Sequence, residues 1–237
     1  MEKAKKIKII LGIIYFLILF IFLWFFFSFF SMNEISTYEF IKKNRDLLLD
    51  FKENNFLLIT IIFFVSCIIW VFLLGFGSPV ALLGGFIFGK WFGTLIVVSS
   101  LTIGATCLYL FANFFLKEFI KEKFEKKFGK MLNNFKKNEF LYFFIYRFVG
   151  GIPFFIANVL PTLFNIKIKN YFFGSLFGMV PGIFIIVSLG SGLEKIINEN
   201  LKQPSFFHLI KSPEIFIPII GFLLLFLITF IIRKKLN

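Results

Sequence analysis

Apolar and polar positions fall in long blocks along this chain. Apolar stretches at 9–30, 56–89, 94–116, 140–164, 171–190 and 215–232 are separated by polar segments at 32–55, 117–138 and 191–214. About 20 apolar residues suffice for a helix to cross a bilayer, so the pattern predicts an all-α integral membrane protein. Two of the stretches are interrupted. A helix at about 56–75 meets Gly75-Phe76-Gly77-Ser78-Pro79, and a short apolar piece follows that ends in the series Gly85, Gly89, Gly93. The stretch from 140 stops at Gly150-Gly151-Ile152-Pro153, restarts, and stops again near Pro161. Broken helices at membrane depth are tolerated only where protein or a water-filled cavity surrounds the freed backbone groups. Breaks paired between two halves of a chain point to a transporter-like substrate site.

The remaining segments read more plainly. Ile9 to Phe30 follows the basic start MEKAKKIK and is longer than a signal-peptide core; it ends in FFSMNE without an Ala-x-Ala-like site, which predicts an uncleaved signal anchor over 1–31. In 32–55, Ser36 and Glu39 fit a capping box. Ile35, Tyr38, Ile41, Leu48 and Phe51 can share one face there, giving either a helix on the membrane surface or a solvated loop. Segment 117–138 holds eight Lys against three Glu, with Ile120, Phe124, Phe128, Met131 and Phe135 at helical spacing. It reads as a basic amphipathic helix on an anionic leaflet, with a partner protein as the alternative occupant of its face. Segment 191–214, with Pro204, Pro213 and the single histidine His208, reads as a polar loop. The last span, with its basic tail, covers 215–237.

Composition agrees with this reading. The 237 residues are 59% hydrophobic, with a mean hydropathy of +0.90, and form one membrane domain. The net charge of +13 sits beside apolar spans, where anionic lipid headgroups rather than nucleic acid are the expected partner. Cys67 and Cys107 lie inside apolar segments without metal-ligand spacing and read as inert buried thiols. No metal or cofactor is implied.

Charge also orders the topology. The N-terminus, 117–138 and the C-terminal RKK are strongly basic, whereas 32–55 (four basic, five acidic) and 191–214 (three of each) are balanced. Cytoplasmic loops collect Lys and Arg. If every apolar stretch crossed, 117–138 would fall on the wrong side. The count closes if 56–89 and 140–164 are re-entrant hairpins entering from opposite faces. The expected architecture is then an inverted repeat with about four full spans, both termini being cytoplasmic and the protein residing in the plasma (inner) membrane.

The chemistry centres on Arg147, the one arginine deep in an apolar run. An arginine at membrane depth costs at least about 2.5 kcal/mol, and no Asp or Glu lies in any apolar run to pair with it. Its expected partners are carbonyls freed at the breaks, water, or a ligand anion. Arg can hold phosphate through two parallel hydrogen bonds, so a lipid headgroup suits it; tying the hairpin's loose carbonyls together is the other reading. Lys90 is a candidate second cation or a snorkelling surface residue, and Asn158 and Asn165 are candidate headgroup ligands or local caps. Gly77, Pro79, Gly151 and Pro153 mark the hairpin breaks. Gly85, Gly89, Gly93, Gly104, Gly174, Gly178, Pro181 and Gly182 are read as helix-packing positions. An enzyme is disfavoured, because no membrane His, carboxylate pair or Ser/His constellation is present.

The run R-x5-P-F-x3-N (Arg147, Pro153, Phe154, Asn158), continuing to G-x3-G-x2-P-G (Gly174, Gly178, Pro181, Gly182), resembles the second half of the SNARE-associated Golgi protein family, also called the DedA or VTT-domain superfamily. GGFIFGKWFG (Gly84 to Gly93) with Gly104-Ala105 resembles its first-half glycine signature. The resemblance covers about 56–190. It implies polytopic proteins with two opposed re-entrant hairpins that move lipids between leaflets, as phospholipid scramblases or polyprenyl-phosphate carriers. Two features depart from the family pattern: acidic residues near the first hairpin are missing, and Lys167 and Lys169 stand nearest to where a second arginine would be. Proton coupling is thereby disfavoured against downhill scrambling. Lipid translocation is the expected function. The alternatives are a small-solute transporter using the same cavity and a non-transporting membrane-organisation protein acting through 117–138.

Overall fold

The computed structural model describes residues 38–115, 138–150, 152–199 and 211–236, and residues 10, 12–15, 17–22 and 24 of the N-terminal segment. The expectations for the full anchor, Ser36, the basic segment up to residue 137, Gly151, Pro204 and His208 lie outside the described residues. Among those described, all regular structure is helical: α1 (Tyr38–Asn54), α2 (Phe56–Phe72), α3 (Gly77–Phe88), α4 (Lys90–Phe115), α5 (Glu139–Val149), α6 (Phe154–Val159), a 3-10 helix (Leu160–Phe164), α7 (Ile168–Glu199) and α8 (Pro213–Leu236).

The helices α4 and α7 are long and apolar enough to cross a membrane; α1 and α2, meeting at a 114° bend, make a third span if taken together. The two differ in charge. The α1 sequence is rich in Lys, Arg, Asp and Glu, whereas α2 carries no charged residue at all. Each half of the chain repeats one order of elements: an apolar helix, a break, a short helix, then a long helix.

The centre of the fold is α7, which packs on α3, α4, α5 and α8, while α4 also lies against α2 and α3. Close approach is set by glycine. A Cβ at Gly85 would strike the Val187 carbonyl, and one at Gly190 the Leu82 carbonyl, so α3 and α7 cross backbone to backbone. At Gly93 a Cβ would lie 2.6 Å from the Gly84 carbonyl oxygen, and at Gly104 it would lie 2.8 Å from Val71 Cβ. The enclosed core joins Val71, Val80, Val97, Leu101, Tyr109, Phe143, Leu163 and Val187.

The structure differs from the sequence reading at several points. The first break lies at residues 73–76, not at Gly77-Ser78-Pro79. Leu74 takes a left-handed backbone (φ 65°), and the Trp70 indole Nε1 donates to the Phe76 carbonyl at 2.8 Å, stitching the break closed. Pro79 sits inside the first turn of α3, where a missing N–H costs no helical hydrogen bond. Segment 191–199 is helix rather than loop, because Gly190, Gly192 and Ile196 are buried and continue the packed face of α7. Cys67 is buried, but Cys107 is exposed on α4. Gly182 has nothing within 4 Å of a notional Cβ; neither has Gly89, whose φ of 75° ends α3. Those two glycines are not packing positions.

Candidate functional site

The helix α5 brings Arg147 into the fold. Its start is fixed by Asn138, whose side chain accepts from the Leu141 N–H at 3.2 Å. Glu139 then accepts from the Lys167 backbone N–H at 2.9 Å and from Asn170 Nδ2 at 2.5 Å, tying the starts of α5 and α7 together. Further along, a Cβ at Gly174 would lie 2.7 Å from the Phe143 ring, and one at Gly178 2.6 Å from Arg147 Cβ. Arg147 therefore lies directly on the α7 backbone, and its residue is only 8% exposed. At Gly150, φ is 58°; glycine adopts that conformation without penalty, and α5 ends there.

The guanidinium is held by neutral groups. Nε donates to Ser175 Oγ at 3.0 Å and Nη2 to the Tyr171 hydroxyl at 2.6 Å, while the Phe143 and Tyr171 rings lie 5.2 Å from its centre. Among the described residues no carboxylate pairs with it. The sequence offered carbonyls freed at the breaks, water or a ligand anion as its partners; the carbonyls have other donors. Tyrosines serve these: Tyr146 OH donates to Ala157 O at 3.2 Å, Tyr109 OH to Ile166 O at 2.6 Å, and Tyr171 OH lies 3.1 Å from Asn158 O and 3.2 Å from Ala105 O. Tyr109 and Tyr171 also stack at 4.3 Å. Sequence reasoning missed this set and Ser175. The available signal was a tyrosine among phenylalanines in an apolar run, since a buried phenol hydroxyl needs a partner.

The same hydroxyl brings a second group of residues together. Tyr171 OH bridges Asn158 on α6 to Ala105 on α4; Thr162 follows Asn158 by about one turn, and Thr102 precedes Ala105 by about one turn. Asn158 is 1% exposed, and neither its Oδ1 nor its Nδ2 has a hydrogen-bond partner. Thr102 Oγ1 and Thr162 Oγ1 are likewise buried and unpartnered. Buried polar groups are ordinarily hydrogen-bonded, so the orphaned amide of Asn158 and hydroxyls of Thr102 and Thr162 are unsatisfied positions on the helices that the Tyr171 hydroxyl joins to Arg147.

The two breaks also meet. A Cβ at Gly77 would lie 3.5 Å from the Phe154 ring, and Phe76 packs edge-on against Phe155 at 6.1 Å. Pro153 begins α6, where its carbonyl accepts from the Ala157 N–H at 2.9 Å. Two candidates lie elsewhere. Asn165 is exposed and in the left-handed conformation (φ 50°), closing the 3-10 helix. Lys90 is exposed at the start of α4, near Ser188, Ser191 and Lys195 of α7. Arg147 binds Ser175, about 24 Å from Ser191 along α7 at 1.5 Å per residue. Lys90 and Arg147 do not share a site.

Residues 75–192 match the model of the VTT domain. The chain is similar to a Transmembrane protein 41 homolog of Caenorhabditis elegans, 24% identical over 62% of this chain and 61% of that protein. It is also similar to one of Dictyostelium discoideum, 24% identical over 83% of this chain and 58% of that protein. The chain thus spans about three-fifths of the length of these curated relatives. No solved structure matches it.

Proposed function

This chain belongs to the VTT-domain superfamily of membrane proteins, and from that premise we propose that it translocates phosphate-bearing lipids between leaflets. The observation that carries this reading is Arg147: a buried guanidinium with two neutral hydroxyl partners and, among the described residues, no carboxylate. Such a charge is costly at membrane depth, and an anion sharing its site would offset that cost. A lipid phosphate can take the remaining guanidinium donors together with the Asn158 amide and the Thr102 and Thr162 hydroxyls. The two breaks approach each other through Phe76 and Phe155, and in this reading they form the path. No titratable carboxylate lies in this group, which favours downhill exchange over proton-driven transport. In this reading the basic segments face the cytoplasm, the termini with them, and the membrane is the plasma (inner) membrane.

The test is a fluorescent-lipid exchange assay on the purified chain in vesicles, comparing wild type with Arg147→Gln and with Arg147→Lys. Protein-dependent exchange that collapses in Arg147→Gln and partly returns in Arg147→Lys supports the reading. A folded wild type that exchanges no phospholipid and no lipid phosphate overturns it, and small anions then become the substrates to assay.

A further inference from the structure

A second site lies far from Arg147. A cleft of about 720 Å³ separates the carboxyl half of α7 from the first half of α8, with Lys90 of α4 on its wall. That volume is in the range of small-molecule sites. Pro181 inside α7 and Pro218 inside α8 both line it, and a proline within a helix removes a hydrogen bond and bends the axis. At the mouth the two helices close again: a Cβ at Gly192 would lie 2.6 Å from the Glu214 carbonyl oxygen, and Lys195 Nζ pairs with Glu214 Oε1 at 2.6 Å.

The lining is graded along its length. Along α7 the lining runs from Lys195, Ser191 and Ser188 to Phe184, Ile185 and Pro181, with Glu214, Ile217 and Gly221 opposite on α8 and Lys90 entering from α4. From Lys195 to Pro181 the cleft follows α7 for about 21 Å at 1.5 Å per residue. Glu194, Lys195 and Glu199 put the polar end at the surface of the apolar layer. The charges do not cancel there. Lys195 is taken up by Glu214 and, at 3.9 Å, by Glu199, whereas Lys90 has only the Trp91 ring, 5.7 Å away, and no carboxylate among the described residues. A cleft with one unneutralised cation on its wall and an apolar body matches an anionic amphiphile.

We infer that this cleft binds one anionic phospholipid, its phosphate at Lys90 and an acyl chain along Ile185, Ile217 and Gly221 towards Pro181. The inference rests on the lipid-handling reading for its physiological meaning, but binding is measured independently of exchange. The full chain is reconstituted in phosphatidylcholine vesicles doped with a phosphatidylglycerol carrying a diazirine on its acyl chain, then photolysed, and labelled peptides are mapped. Labelling should concentrate on 181–188 and 217–221. Lys90→Gln, at an exposed position, should lower it several-fold. Gly221→Leu, which fills the space opposite Ile185, should abolish it. A phosphatidylcholine carrying the same diazirine should label the cleft no more than the outer face of α2. Uniform labelling of every lipid-facing helix, or cleft labelling indifferent to Lys90→Gln, overturns the inference. Arg147→Gln separates the two proposals. Cleft labelling that persists in this variant, with no exchange by wild type, sinks translocation alone; exchange by wild type with scattered labelling sinks the cleft alone.

Discussion

Arg147 Nη2 donates to the Tyr171 hydroxyl at 2.6 Å, and that hydroxyl touches the backbone carbonyls of Ala105 and Asn158 at 3.2 and 3.1 Å. A phenol has one proton, so it serves one carbonyl at a time while accepting from the guanidinium. One oxygen thereby joins α4, α5, α6 and α7. Tyr171→Phe keeps the ring stack on Tyr109 but leaves Arg147 Nη2 and the carbonyls unserved. A hydrogen bond to a charged group is worth about 1.5–3 kcal/mol, so the variant should melt several degrees lower in detergent. Exchange should fall with it, because the guanidinium loses its fixed orientation. Unchanged melting and unchanged exchange would show that the hydroxyl is dispensable.

Glycine positions should divide into two classes. Gly85 and Gly190 face backbone carbonyls across the α3–α7 crossing, and no rotamer change can relieve a clash with main chain. Overpacking costs typically about 1–3 kcal/mol, and Gly85→Ala or Gly190→Ala should reach at least that. Gly182→Ala meets nothing within 4 Å and gains helix propensity of up to about 1 kcal/mol, so it should be neutral or stabilising. Thermal unfolding of the three variants in one detergent checks the division. Equal losses at Gly182 and Gly190 would contradict it.

Much of this was readable from the residues. Two interrupted apolar runs, a lone arginine and the glycine series led to an all-helical membrane fold with its breaks close together, because hydrophobic blocks and missing Cβ atoms act locally. What was not legible depends on which helix faces which. Carbonyls were one of the partners expected for Arg147, beside water and a ligand anion, yet Tyr109, Tyr146 and Tyr171 serve carbonyls there, and Arg147 binds Ser175 and Tyr171 because Gly174 and Gly178 lay α5 onto that face of α7. Lys90 looked like a second cation for the site, yet α4 begins beside Phe184 and Val187 of α7, more than two turns beyond Ser175. Spacing alone cannot separate Gly178, pressed on Arg147, from Gly182, four residues on and open.

The first break should depend on Trp70. Its indole N–H donates to Phe76 O at 2.8 Å, and its ring fills the space that a side chain at Gly75 would need. Trp70→Phe removes the donor while keeping most of the ring, at a cost of about 1 kcal/mol for one hydrogen bond. Hydrogen exchange at residues 73–77 should accelerate, with α4 unchanged. Equal acceleration across α2 and α4 would mean that Trp70 supports the whole helix pair rather than the break.

Asn158 offers the sharpest separation of stability from function. Its side chain is buried with both polar atoms unpartnered, and a buried orphan of this kind costs about 1–3 kcal/mol. Asn158→Leu has similar bulk and no polar atoms, so it should raise the melting temperature. If the amide contacts the headgroup, the same change should slow lipid exchange several-fold at unchanged protein incorporation. The opposite signs are what matter: a packing defect predicts higher stability with undiminished exchange, and a structural hydrogen bond predicts lower stability. Only a polar group kept for its guest makes the protein firmer and slower together. Thr162→Val provides the control on the next turn, since it removes an orphaned hydroxyl at nearly constant shape, and the same paired result is expected there on a smaller scale.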